Sequence, residues 1–114
     1  MEDPVIKTVL ETLDLLDSSV KDVIVETEKE YIRLDVFTTM QAVLLNGIIK
    51  GGEKKLKSKS QRDAFLHIHR ECRKTMTVIN KGCKDYAIKY GTKTIPGFII
   101  SKIIKETKRQ IKNQ

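Results

Sequence analysis

Four residues in the middle of the chain are of types that hold metals or act as nucleophiles: His67, His69, Cys72 and Cys83. A structural zinc site needs about four ligands converging on one point at about 2.0–2.3 Å. On a helix, His69 and Cys72 are three residues apart and share a face. His67 points roughly opposite His69, and Cys83 lies three turns beyond Cys72. The chain contains no other histidine or cysteine. The spacing therefore argues against a metal centre and predicts His69 and both cysteines in a core stripe, with His67 exposed. A Cys72 nucleophile with His69 as base fares no better, because no glycine-rich turn follows the cysteine and a buried stripe denies access to substrate. Carboxylate pairs such as Asp14 with Asp17, or Glu26 with Glu30, fall on a solvated acidic face. Gly51-Gly52-Glu53-Lys54 lacks the spacing of a phosphate loop. No catalytic residues, no metal and no cofactor are expected, and the reading is non-enzymatic.

What remains is charge. Lys59, Arg70 and Lys81 are spaced by eleven residues, and so are Arg62, Arg73 and Lys84. Eleven residues is close to three full turns, so each trio runs in line along a helix and together they make a strip of about 35 Å. Lys54, Lys55 and Lys57, in the preceding loop, extend it at one end. Such a strip can follow several phosphates of a nucleic-acid backbone, with steep dependence on salt. No aromatic residue interrupts it to stack on bases, and no helix-turn-helix pattern is visible, so any contact is expected to be mostly to backbone. The bland alternative is a solvated lysine-rich face.

The charge is also unevenly placed. The formal net charge is +7, but residues 1 to 50 carry ten acids and five bases, a net of −5, and residues 51 to 114 carry five acids and seventeen bases, a net of +12. The two halves attract each other, yet the surplus exceeds what internal pairing consumes, which suits an anionic partner. An apolar fraction of 39% with 32% charged residues fits a folded domain and not a disordered tail. Aromatics are only 5% and tryptophan is absent, so the core must be aliphatic. The N-terminus has no positively charged leader and no apolar run approaches the length of a membrane span, so a cytoplasmic, intracellular location is expected. Cys72 and Cys83 are eleven residues apart on one helix, about 16 Å by helical rise, too far for a disulfide, and are expected as free thiols.

The elements that position the strip follow from periodicity. Phe65, His69, Cys72, Met76, Ile79, Cys83, Tyr86 and Tyr90 recur at spacings of four and three and form the inner stripe of a long helix ending at Gly91. Asp3-Pro4 starts an amphipathic helix with Val5, Val9, Leu13, Leu16 and Val20 on one face. Ile95-Pro96-Gly97 opens a last helix that places isoleucines on one arc and Lys102, Lys105, Lys108, Arg109 and Lys112 on the other. Residues 31–37 alternate like a strand and, with 23–27, could form a small hairpin. Glu28-Lys29-Glu30 is poor turn chemistry, however, and a helix ended by Gly51-Gly52 is favoured there. Apolar residues around most of its circumference predict a central place for it. Gly82 reads as a local weakness of about 1 kcal/mol in its helix. No internal repeat is visible, and no residue pattern matches a family signature.

The fold expected is all-α, a single domain over residues 1–114, with three to four helices in a small antiparallel bundle over 4–26, 28–49, 60–90 and 96–112. The function expected is an accessory protein that binds nucleic acid, or docks on a nucleoprotein assembly, through Lys54, Lys55, Lys57, Lys59, Arg62, Arg70, Arg73, Lys81 and Lys84. The alternative is a protein-interaction module, a homo-oligomer or a small regulator or inhibitor of a larger machine; the partners expected are nucleic acid or an acidic protein, and a homodimer is compatible with the stripe. A membrane partner is not favoured, because the isoleucines of the last helix suit closure of the bundle.

Overall fold

Asp3 begins the first ordered element for the reason its position suggests. Its side-chain oxygen accepts from Val5 N at 2.8 Å. Pro4 follows it, where no helical N–H is required. The structure is a computed structural model that describes residues 3–53 and 58–113. Four helices and two short strands follow in the order α1 (Pro4–Thr27), β1 (Tyr31–Arg33), α2 (Leu34–Glu53), α3 (Lys59–Tyr90), β2 (Thr94–Pro96) and α4 (Gly97–Lys112). The expected all-α bundle is what forms. Ser58 caps α3, its hydroxyl accepting from Gln61 N at 3.2 Å. Gly91 ends α3 in the left-handed conformation at φ 61°, where glycine carries no Cβ penalty. Among the described residues no helix is long and apolar enough to cross a membrane.

Two boundaries differ from expectation. The second helix starts at Leu34, not near residue 28, and the alternation just before it is a true strand. Ile32 is buried between exposed Tyr31 and Arg33. The strand's partner is not 23–27, which form the last turns of α1, but β2, more than sixty residues away. A remote partner leaves no trace in local turn chemistry, so the turn residues alone could not reveal the strand. At its other end α2 runs through Gly51 and Gly52 to Glu53.

α1 and α3 each touch all the other helices, and α2 and α4 flank them. The pairs α1–α4 and α2–α3 are the most extensive. Asp17 accepts from the Ser101 hydroxyl at 2.7 Å and Asp14 pairs with Lys108 across the first. Asn80 donates to Gln41 Oε1 at 2.6 Å across the second. The shared core holds Leu13, Leu16, Val20, Ile32, Phe37, Ile79, Cys83, Ile95, Ile100 and Ile104. Burying large apolar side chains of this kind contributes about 1.5–3 kcal/mol each.

The strands expose a repeat that the sequence conceals. β1 and β2 pair antiparallel with Ile32 opposite Ile95 at the centre, Tyr31 opposite Pro96 and Arg33 opposite Thr94. The flanking bonds are symmetric as well: Leu34 N donates to Lys93 O at 3.0 Å, and Gly97 N to Glu30 O at 2.9 Å. A two-fold relation through Ile32 and Ile95, a shift of 63 positions, relates the first helix–strand–helix unit to the second. The buried positions follow it: Val9 with Cys72, Leu13 with Met76, Leu16 with Ile79, Val20 with Cys83 and Phe37 with Ile100. Both linkers open with a left-handed residue, Glu28 at φ 57° and Gly91 at φ 61°. The chain thus folds as two copies of one unit, joined in tandem, whose helices pack most extensively across units.

The symmetry also explains where α2 lies. Apolar residues all round it point to a central place, and the structure corrects this. α1 and α3 occupy the middle, and α2 leaves Val36 40% and Val43 64% exposed. Gly82 faces α4. A Cβ there would lie 3.3 Å from Ile103 Cγ2, and Ile103 would have to give by a few tenths of an ångström to accept it.

Candidate functional site

The inner stripe of α3 divides into a buried middle and freer ends. Cys72, Met76, Ile79 and Cys83 are buried, Phe65, His69 and Tyr86 are half-buried, and Tyr90 is exposed, its ring 4.6 Å from that of Tyr86. Ala87 joins the buried side, a residue that the four-three spacing overlooks. The middle of the stripe is therefore used inside the chain.

This arrangement removes the thiol chemistry that the sequence offered. Cys72 Sγ donates to Thr12 Oγ1 at 3.8 Å, a contact to α1 and not to His69. Burial pushes the Cys83 thiol up to about 11 and also raises Cys72 above its ordinary value. A nucleophilic cysteine requires the opposite shift. His67 is exposed, as expected. Among the described residues no three His, Cys, Asp or Glu side chains converge on a metal-sized point.

The basic strip occupies the side of α3 that turns past α2 toward solvent. Lys59, Arg62, Arg70, Arg73, Lys81 and Lys84 are all exposed. Lys54, Lys55 and Lys57 lie outside the described residues. None of those six α3 cations has an ion-pair partner among the described residues, whereas Lys21, Arg33, Lys74, Lys108 and Arg109 are each engaged by Asp17, Asp35, Glu71, Asp14 and Glu106 respectively. The Arg109 guanidinium, hydrogen-bonded to Glu106, holds that carboxyl below the usual range. At its C-terminal end the strip borders a hollow between α2 and α3 lined by Leu34, Thr38, Thr77, Asn80, Lys81 and Lys84, where two ammonium groups sit beside an amide and two hydroxyls.

Two features of this region escaped the sequence reading. Leu66 and Ile88, 56% and 76% exposed, lie in line with Thr77 inside the strip, so it is not purely cationic. Gln41, at the position equivalent to Ile104, is buried with its Nε2 unpartnered among the described residues. An unpaired buried amide costs about 1–3 kcal/mol. The eleven-residue spacing could have revealed the first. No local signal marks the second, because its burial depends on the packing of α2 against α3.

A second surface was missed entirely. Between α1 and α2 the walls of a groove of about 410 Å³ are formed by Ser19, Val23, Asp35, Val36, Thr39, Met40, Val43 and Leu44. The one sequence signal for it was the surplus of apolar residues on α2. No protein-family model matches the chain, nor does a curated protein or a solved structure.

Proposed function

We propose that this chain is a non-enzymatic accessory protein that holds the backbone of nucleic acid along α3. The observation that supports this reading is the line of six exposed α3 cations without ion-pair partners among the described residues. Unpaired cations in line along about 35 Å of helix offer phosphates a track at little desolvation cost. Lys81 and Lys84, beside Asn80 and Thr77, provide the most polar part of that track. Lys54, Lys55 and Lys57 extend it in sequence. No aromatic side chain lies within the strip, so the contact reads phosphate and not base.

The test is titration of labelled duplexes of unrelated sequence with the full chain at several salt concentrations. Affinity is expected to vary little between sequences and to fall with salt, with a log–log slope of about −4 to −5 for five or so phosphates. The quadruple variant Arg70→Gln, Arg73→Gln, Lys81→Gln, Lys84→Gln reduces that slope by about 3–4. Absence of binding at low salt, or a variant that binds like the parent, sinks the proposal.

A further inference from the structure

The two units differ in one respect that the shared core does not require. In the second, Gly82 of α3 lies against Ile103 of α4. The equivalent pair in the first, Ser19 and Met40, lines an open groove between α1 and α2. Its walls are apolar, with Val36 and Val43 exposed, and Leu15, one turn before Ser19, is 58% exposed. Solvent-facing valines in one furrow mark a surface that buries apolar area when filled.

Charge says what fills it. Among the described residues no lysine or arginine lines the groove or the hollow that adjoins it at Ser19, where Asp22 and Glu26 are exposed. Among the described residues neither of those acids has an ion pair. On a chain of net charge +7 this is an acidic margin along an apolar floor. A furrow between two antiparallel helices matches the ridge of a third helix, whose side chains recur at i, i+3, i+4 and i+7.

We propose that the α1–α2 groove docks an amphipathic helix from a partner protein, apolar along one stripe and edged with lysine or arginine that meets Asp22 and Glu26. Among its described residues a second copy of this chain presents no such stripe. Leu66 and Ile88 are the exposed apolar residues of its cationic strip. They are about 33 Å apart by helical rise, too far to act as neighbouring anchors. α4 offers only Phe98 beside Lys102 and Lys105. The groove lies on the opposite side of α2 from the α3 strip, so this docking does not rest on the nucleic-acid reading.

The experiment uses a labelled 18-residue model helix with leucines at i, i+3, i+4 and i+7 and lysines elsewhere, titrated against the full chain by fluorescence anisotropy. Val43 is largely exposed, so Val43→Lys leaves the thermal midpoint unchanged and weakens binding about tenfold or more. Val78→Lys, at the counterpart of Leu15 in the second unit, leaves binding unchanged. The double variant Asp22→Asn, Glu26→Gln weakens it severalfold and flattens its salt dependence. The quadruple strip variant binds the peptide like the parent, which separates this result from any failure to bind nucleic acid. Equal loss at Val43 and Val78, or equal binding of a leucine–glutamate peptide of the same pattern, overturns the proposal. So does a dimer in sedimentation that Val43→Lys dissociates, since that outcome assigns the groove to a second copy.

Discussion

The first helix–strand–helix unit and the second trace the same path and bury equivalent positions, yet they present opposite surfaces. Leu16 and Ile79 are both fully buried, as are Val20 and Cys83, and Ile32 and Ile95 face each other on the axis. Outside the core the first half carries a net charge of −5 and an open groove. The second carries +12 and sets Gly82 of α3 against Ile103 of α4. The difference teaches that the helix–strand–helix frame depends on a small set of apolar positions and leaves the faces free to diverge. On the proposals above, the two halves take partners of opposite charge, phosphate along α3 and a cationic helix between α1 and α2.

If the two units are equivalent in the core, truncation should cost them equally. Leu16→Ala and Ile79→Ala are each expected to lower stability by about 3 kcal/mol in urea unfolding, within about 1 kcal/mol of each other. A large disparity would break the equivalence. The next largest effect probes the contact at Gly82. Gly82→Val drives a side chain into Ile103. Such overpacking should cost about 2 kcal/mol. Ser19→Gly in the open groove should cost only the difference in helix propensity, about 0.5 kcal/mol. Similar losses at both sites would mean that the Gly82 contact is no tighter than its counterpart.

The linkers sharpen the comparison further. Glu28 holds a left-handed conformation that Gly91 adopts freely. Glu28→Gly is expected to raise the thermal midpoint, by about 0.5–1 kcal/mol of stability, and Gly91→Ala to lower it by a similar amount. A Cβ at Gly91 meets no atom within 4 Å, so the second substitution reads backbone strain alone. A further difference is alkaline. Burial pushes the Cys83 thiol up to about 11, so the folded chain holds this proton more tightly than the unfolded one. That contribution is complete below the ordinary thiol value and is lost as pH rises from there toward 11. Cys83→Val, which copies Val20 of the first unit, should flatten the decline in urea midpoint between about pH 8 and about pH 10.5. An unchanged slope would show that the thiol does not titrate with folding.

Much of the frame was legible from particular residues. Asp3-Pro4 and Gly91 act as caps through contacts within a few residues of themselves, so their effect can be read locally. The strip residues from Lys59 to Lys84 are exposed as their spacing predicts, because a long helix carries its own geometry. The strand at Tyr31–Arg33 was half legible: its alternation was visible, but its partner at Thr94–Pro96 was not. The repeat escaped because the equivalent core positions share burial more than identity, with Val20 against Cys83 and Phe37 against Ile100.

The amino-acid sequence by itself determined that this chain makes a helical bundle and that its cations lie in line on one helix, because periodicity, capping and charge act over a few residues. The tertiary structure alone decided that α1 and α3 take the centre, that the linkers pair across a two-fold axis, and that Gly82 meets Ile103 while a groove opens between α1 and α2. The linker pairing depends on side chains that meet across more than sixty residues of chain. At Gly82 and Ile103 the outcome is a matter of a few tenths of an ångström. Close packing makes such a margin decisive, and no local pattern encodes it.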